Sequence, residues 1–153
     1  MAHLITPRIR IAQPHDLESL IAFDHVARTS DSRTAFIQKS ISAQECHLAL
    51  LENNPVACLI LNHAFFEQAF ISLLYVAERH RRRGIGKALL QYAQQISRTP
   101  KLFTSTNASN KPMQNLLIQQ GFQPSGIIEN LDENDPELIF NKSLRETETS
   151  PKS

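Results

Sequence analysis

The chain has 153 residues, 41% of them apolar and 20% charged, and a formal net charge of +1. That is enough chain to bury one core, and the balance excludes disordered, collagen-like and coiled-coil sequences. A nearly neutral total also argues against nucleic-acid binding, which usually brings a basic excess.

The N-terminal run MAHLITPRIR lacks the apolar core of a signal peptide, and no run reaches the roughly 18 apolar residues of a membrane span. A cytoplasmic protein with no membrane partner is expected. Cys46 and Cys58 sit in apolar runs without CxxC spacing or a histidine pair, so the expectation is buried thiols and no metal.

Arg8-Ile9-Arg10-Ile11 alternates with period two and predicts a strand. Pro14-His15-Asp16 punctuates it, and Leu17, Leu20 and Ile21 predict a helix that could carry on through Asp24-His25. After a polar break from Arg28 to Arg33, Thr34 to Ser42 predicts a second helix with Phe36, Ile37 and Ile41 on one face. Cys46–Leu51 and Pro55–Leu61 read as strands joined by a Glu52-Asn53-Asn54 turn. A connector from Asn62 to Gln68, holding His63, Phe65 and Phe66, leads to a third strand ending at Val76.

The next stretch is basic (RHRRR, Arg79 to Arg83), then carries Gly84 and Gly86, then repeats Ile85, Leu89, Tyr92, Ala93 and Ile96 with helical spacing. Leu102 to Thr106 predicts a strand and Asn110 the N-cap of a helix that ends at Gly121. Phe122–Leu131 and Glu137–Leu144 predict a final hairpin around Asp132 to Pro136. Tyr92 and His47 read as core-facing and structural.

Strand, glycine turn and helix in that order build an anion site, because backbone N–H groups and the helix dipole converge on one ligand. The pattern is not a Walker A loop, since GxxxxGK[ST] is absent, nor a Rossmann fingerprint, since a third glycine is missing. An RNA-contact patch built on RHRRR is a competing reading of this run alone.

The unit resembles motif A of the GNAT superfamily of N-acetyltransferases: Val76 closes the strand, Gly84 follows eight residues later, and Arg81-Arg82-Arg83-Gly84-Ile85-Gly86 fits Arg/Gln-x-x-Gly-x-Gly/Ala. Asn110 and Gly121-Phe122 match the family's next motif, and Ile9 to Leu17 resembles its usual opening. The resemblance implies an α+β (mixed α/β) domain, with a central mixed, mostly antiparallel sheet of about seven strands and about four flanking helices. It implies one acetyltransferase domain over residues 1–145, with 146–153 a disordered tail.

It also implies acetyl-CoA as cofactor. The pantetheine would face Leu74, Tyr75 and Val76, the pyrophosphate the backbone of Arg81, Arg82, Arg83, Gly84, Ile85, Gly86, Lys87 and Ala88, with Asn107 and Asn110 as polar contacts. The activity implied is transfer of acetyl to a primary amine of a small molecule or peptide, by direct attack in a ternary complex. No nucleophilic cysteine with a histidine partner is apparent.

Two positions depart from the family pattern. Leu117 stands where many members carry a tyrosine that protonates the leaving thiolate, and Phe70 where some carry a glutamate base. Either the thiolate leaves unaided, or Ser72, Tyr75 or a water supplies the proton, and the base is a carboxylate reached through a bound water, Glu67, read as lying on the same strand, being one candidate. These departures keep open a second reading, a catalytically weak acyl-CoA-binding sensor or interaction module.

Glu129, Asp132, Glu133, Asp135 and Glu137 crowd the last hairpin. With His63 and Phe66 they are expected to border the acceptor site, Glu129, Asp132 and Asp135 attracting a cationic amine. The expected partner is that amine, with room left for a homodimer.

Overall fold

The structure is a computed structural model that describes residues 5–24 and 26–144. The expected tail at 146–153, and His25 after the first helix, lie outside the described residues. The elements are β1 (Arg8–Ile11), α1 (Leu17–Phe23), α2 (Asp31–Ser42), β2 (Cys46–Leu51), β3 (Asn54–Phe65), β4 (Gln68–Val76), α3 (Ile85–Ile96), β5 (Lys101–Asn107), α4 (Lys111–Gln119), β6 (Gln123–Ile128) and β7 (Glu137–Ser143). The seven strands pair in the order β1-β2-β3-β4-β5-β7-β6. The β4–β5 pair is parallel, and β1–β2, β2–β3, β5–β7 and β6–β7 are antiparallel. This is the mixed, mostly antiparallel sheet with four helices expected above. No helix among the described residues is long and apolar enough to cross a membrane.

The chain divides into two compact units, one running to Asn62 and resuming over Ser72–Ala93, the other made of His63–Ile71 and the chain from Gln94 onward. In the first, β2 is buried along both faces. Cys46, Leu48 and Leu50 join Cys58 and Ile60 of β3 and Leu20, Ile37 and Ile41 of the helices in one core. The alternate residue His47 meets Tyr92 of α3, hydroxyl to Nδ1 at 2.7 Å with the rings edge to face. Helix α3 buries Ile85, Leu89 and Ala93 of the apolar stripe its spacing predicts, with Leu90 beside them, while Tyr92 and Ile96 are half-buried.

Helix α2 begins at Asp31, three residues before the Thr34 expected. The Ser30 hydroxyl caps it by accepting the Arg33 N–H at 3.2 Å. The Arg33 side chain is spent on buried Asp24 (3.0 Å), whose other oxygen accepts the N–H groups of Val26 and Ala27. The polar break is therefore a capped corner. Asp16 is held likewise, by both guanidinium nitrogens of Arg10 (2.8 and 3.0 Å), which lower its pKa.

In the second unit the Asn62–Gln68 connector does not exist as such. Strand β3 runs to Phe65 and only Phe66 and Glu67, at φ +51° and +65°, make the turn. The cause is aromatic: Phe65 stacks on Phe70 (4.8 Å) and packs against Phe103 (5.2 Å). Helix α4 ends in a Schellman motif, with Gly121 at φ +89° donating to the Ile118 carbonyl and Phe122 to that of Leu117. Leu117 and Phe122, both buried, supply the apolar contact such an ending favours.

Burial pushes the His47 pKa down, so the unfolded chain takes up a proton there that the folded chain resists. This share of the stability is intact above about pH 6.5, the ordinary histidine value, and is lost as pH falls below it. Tyr92→Phe, which strands a buried ring nitrogen, is expected to cost about 1 to 2 kcal/mol in denaturant unfolding at pH 7.5.

Candidate active site

Eight residues, Ala77 to Gly84, carry the chain from the end of β4 into α3. The Ala77 N–H is tied to the Val56 carbonyl (2.8 Å), and Glu78–His80 form a single 3-10 turn. Arg81 folds back, its Nε donating to the Val76 carbonyl (2.9 Å) and its guanidinium lying 5.2 Å over the Tyr75 ring, which is parallel to Phe23. Arg82 and Gly84 then adopt φ of +65° and +85°, and the Ala88 N–H closes the first helical bond onto the Gly84 carbonyl. Gly84 meets that backbone freely; Arg82 meets it against the usual preference of a side chain. The N–H groups at the start of α3 have no partner within the helix, as at any helix start.

Arg82, Arg83 and Lys87 are exposed, while Ile85 is buried and Gly84, Gly86 and Ala88 are half-buried. The turn therefore shows cationic side chains outward around a helix start anchored by Ile85. Beside it, in the same unit, a groove of about 1280 Å³ is lined by Phe23, Tyr75, Arg79, His80 and Arg83 among others. His80 turns a buried Nδ1 without a hydrogen-bond partner, and burial together with Arg83 and Arg79 lowers its pKa. On β4 the Ser72 hydroxyl donates to the Ile60 carbonyl at 3.4 Å, and Leu74 and Val76 are half-buried.

In the second unit the β6–β7 loop is tied onto the connection from β5 to α4. The Asn107 amide donates to Asp132 (2.8 Å), and Asp135 accepts both the N–H and the hydroxyl of Ser109 (2.9 and 2.6 Å). Asn110 caps α4 by accepting the Met113 N–H at 3.2 Å. Asn107 and Asn110, taken from the sequence as cofactor contacts, thus also hold local structure. Asp132 and Asp135, taken as acceptor contacts, anchor the loop, while Glu129 and Glu133 stay exposed around a pocket of about 500 Å³.

Glu67 is not on β4. It is exposed in the turn before the strand, roughly 30 Å along the chain from Val76 at the strand rise of 3.3 Å per residue. His63 is on β3, where its Nε2 accepts the Arg98 backbone N–H at 3.1 Å, and Phe66 is 84% exposed at the tip of the hairpin. The loop partners Asn107–Asp132 and Ser109–Asp135 went unseen in the sequence, being 25 and 26 residues apart with no periodicity to join them.

A model of the Acetyltransferase (GNAT) family matches residues 14–122. A GNAT-family acetyltransferase from Bacillus cereus ATCC 10987 is 39% identical, over 89% of this chain and 96% of that one, with a TM-score of 0.83. Arabidopsis thaliana Naa50, in complex with the bisubstrate analogue CoA-Ac-MVNAL, has the same fold at 19% identity, a TM-score of 0.73 and coverage of 91% and 99%. The peptidyl-lysine N-acetyltransferase YiaC of Escherichia coli (strain K12) is 42% identical over 59 residues, which is 39% of this chain and 39% of YiaC.

The strained Arg82 gives a test of the turn. Arg82→Gly is expected to change stability by less than about 1 kcal/mol, whereas Arg82→Val, branched at a left-handed position, should cost about 1 to 2 kcal/mol in thermal unfolding.

Proposed function

Given that this chain belongs to the GNAT family and is an acetyl-CoA-dependent N-acetyltransferase, we propose that it acetylates a primary amine presented by a peptide, a lysine side chain foremost. The partial match to a peptidyl-lysine N-acetyltransferase supports that acceptor. The observation that carries the reading is the backbone of the turn, where positive φ at Arg82 and Gly84 sets up the start of α3. There the amides of Arg82 to Lys87 receive the pyrophosphate, those of Arg81 and Ala88 being spent on the Glu78 and Gly84 carbonyls, and the dipole of a twelve-residue helix adds to their attraction. Arg82, Arg83 and Lys87 supply exposed positive charge around it, and the backbone of Leu74 to Val76 receives the pantetheine arm.

Transfer proceeds by direct attack of the amine on the thioester. Burial pushes the Cys46 thiol up to about 12 and the Cys58 thiol well above its ordinary value, so neither is a thiolate nucleophile at neutral pH. Rate enhancement then comes from holding amine and thioester together and from backbone amides aimed at the carbonyl oxygen. Ser72 and Tyr75 serve as candidate donors to the leaving thiolate. Of the acceptor residues, exposed Glu129 and Glu133 draw a cationic peptide toward the β6–β7 loop, which Asp132 and Asp135 hold in shape.

The test is release of free thiol from acetyl-CoA in the presence of lysine peptides, peptides with only a free N-terminus, polyamines and aminoglycosides. Lysine peptides should support the fastest release, and Glu129→Gln with Glu133→Gln should raise their KM several-fold at low salt. Tight acetyl-CoA binding without release for any amine would instead mark a cofactor sensor.

A further inference from the structure

Over the whole chain 16 lysines and arginines nearly balance 15 aspartates and glutamates, but the charge is not spread evenly. The groove of about 1280 Å³ beside Tyr75 is lined by four arginines, Arg8, Arg28, Arg79 and Arg83, against two glutamates, Glu52 and Glu78. All six lie within the first unit.

These arginines are not neutralised where they stand. Among the described residues the carboxylates within 4 Å of an arginine are Asp16, at Arg10, and Asp24, at Arg33, so Glu52 and Glu78 pair with none of the four. Arg8 donates only to the uncharged side chain of Asn53, at 3.4 Å. All four are exposed, and a single exposed guanidinium binds an anion weakly. Several lining one concave wall reinforce one another, because a cleft of one sign focuses the field.

The groove also has a definite side of the sheet. Cys46, Leu48 and Leu50 of β2 share a core with Leu20 of α1 and Ile37 of α2, whereas the alternate residue His47 meets Tyr92 of α3. Leu73 and Tyr75 of β4 pack against that same α1–α2 core, and the Tyr75 ring lies parallel to Phe23 of α1. With Ser19, Ala22 and Phe23 in its wall, the groove opens on the α1 side, opposite the face that α3 covers. Arg79 and Arg83 belong to the turn that enters α3, but Arg8 is on β1 and Arg28 is in the corner between α1 and α2. Tyr75 is at once part of this wall and part of the stretch assigned to the pantetheine arm.

We propose that this groove receives carboxylate side chains that flank the acceptor lysine, and that Arg8 and Arg28 set a preference for acidic residues on one side of that lysine. The proposal rests on the peptide-lysine reading given above, and the acidic β6–β7 loop, in the other unit, has no part in it. A glutamate or aspartate oxygen accepts guanidinium N–H groups, two at once where the fork of the arginine meets both oxygens. Phe23 and Tyr75 offer apolar surface to the methylene stems beside the charge. The 3′-phosphate of CoA offers the same anionic chemistry to the same arginines, and the experiment separates the two sources.

The test follows free thiol released from acetyl-CoA with lysine peptides that differ at two positions on one side of the lysine, filled by glutamate, glutamine or arginine. One series places the pair before the lysine and another after it. At low salt, kcat/KM of wild type should be about 5- to 10-fold higher with glutamate than with glutamine in one series, and lowest with arginine, the scale of exposed ion pairs. The spread should shrink as salt is raised to about 0.5 M. Arg8→Glu combined with Arg28→Glu should reverse the order, a result that a merely structural role for either residue does not produce, and should leave the KM for acetyl-CoA unchanged. Equal kcat/KM for all flanks in wild type would overturn the proposal. So would a double variant that keeps the flank order but no longer distinguishes acetyl-CoA from its 3′-dephospho form, which would assign these arginines to the cofactor. Wild type that acetylates none of the lysine peptides, whatever their flanks, would instead overturn the peptide-lysine reading, and this one with it.

Discussion

Between Val76 and Ile85 the backbone must leave an extended strand and enter a helix within eight residues, and it does so through two left-handed positions, Arg82 and Gly84. Around that turn the first unit is built for rigidity. The Ala77 N–H is tied to β3, the Ile5 N–H donates to the Arg83 carbonyl, and Arg81 is folded onto Val76 and Tyr75. Ile85 and Leu89 bury the far side of the helix. A helix start held this firmly presents its amides in one arrangement before any ligand arrives, so binding a phosphate group does not have to order them. The strain at Arg82, of order 1 to 2 kcal/mol for a left-handed side chain, is borne by the packing around it.

The second unit achieves order by a different means. Its β5 face is apolar at Phe103, where three phenylalanines pack together, and polar at Ser105 and Asn107, where the strand ends. The β6–β7 loop is fastened to those polar ends by hydrogen bonds from Asn107 and Ser109. An acidic loop is thereby fixed by hydrogen bonds to its aspartates. Two of its carboxylates, Asp132 and Asp135, accept the hydrogen bonds that hold it, and Glu129 and Glu133 stand exposed beside them, a division of labour that composition does not reveal.

How much of this could be read from the residues depended on how local the cause was. The glycine turn was legible because Gly84, at φ +85°, reports left-handed backbone directly and because Val76, Gly84 and the helical Gly86 fall within one short stretch. Gly121-Phe122 was legible for the same reason. The two-residue turn at Phe66-Glu67 was not, since it depends on Phe65 reaching Phe103, far along the chain. Nor was the start of α2, which depends on Arg33 finding Asp24. The misplaced Glu67 followed from the first of these errors. The roles of Asn107, Asp132 and Asp135 were hidden for the same reason, since side-chain pairs across a sheet leave no period in the sequence.

The central claim is that the turn before α3 grips the phosphates of CoA through its backbone. It is tested most directly by measuring calorimetrically the affinities of wild type and Gly84→Ala for acetyl-CoA and for S-acetylpantetheine, which lacks the pyrophosphate. Wild type should bind acetyl-CoA far more tightly, and Gly84→Ala, strained at φ +85°, should weaken acetyl-CoA binding while leaving S-acetylpantetheine binding unchanged. Equal affinity of wild type for the two ligands would contradict the account.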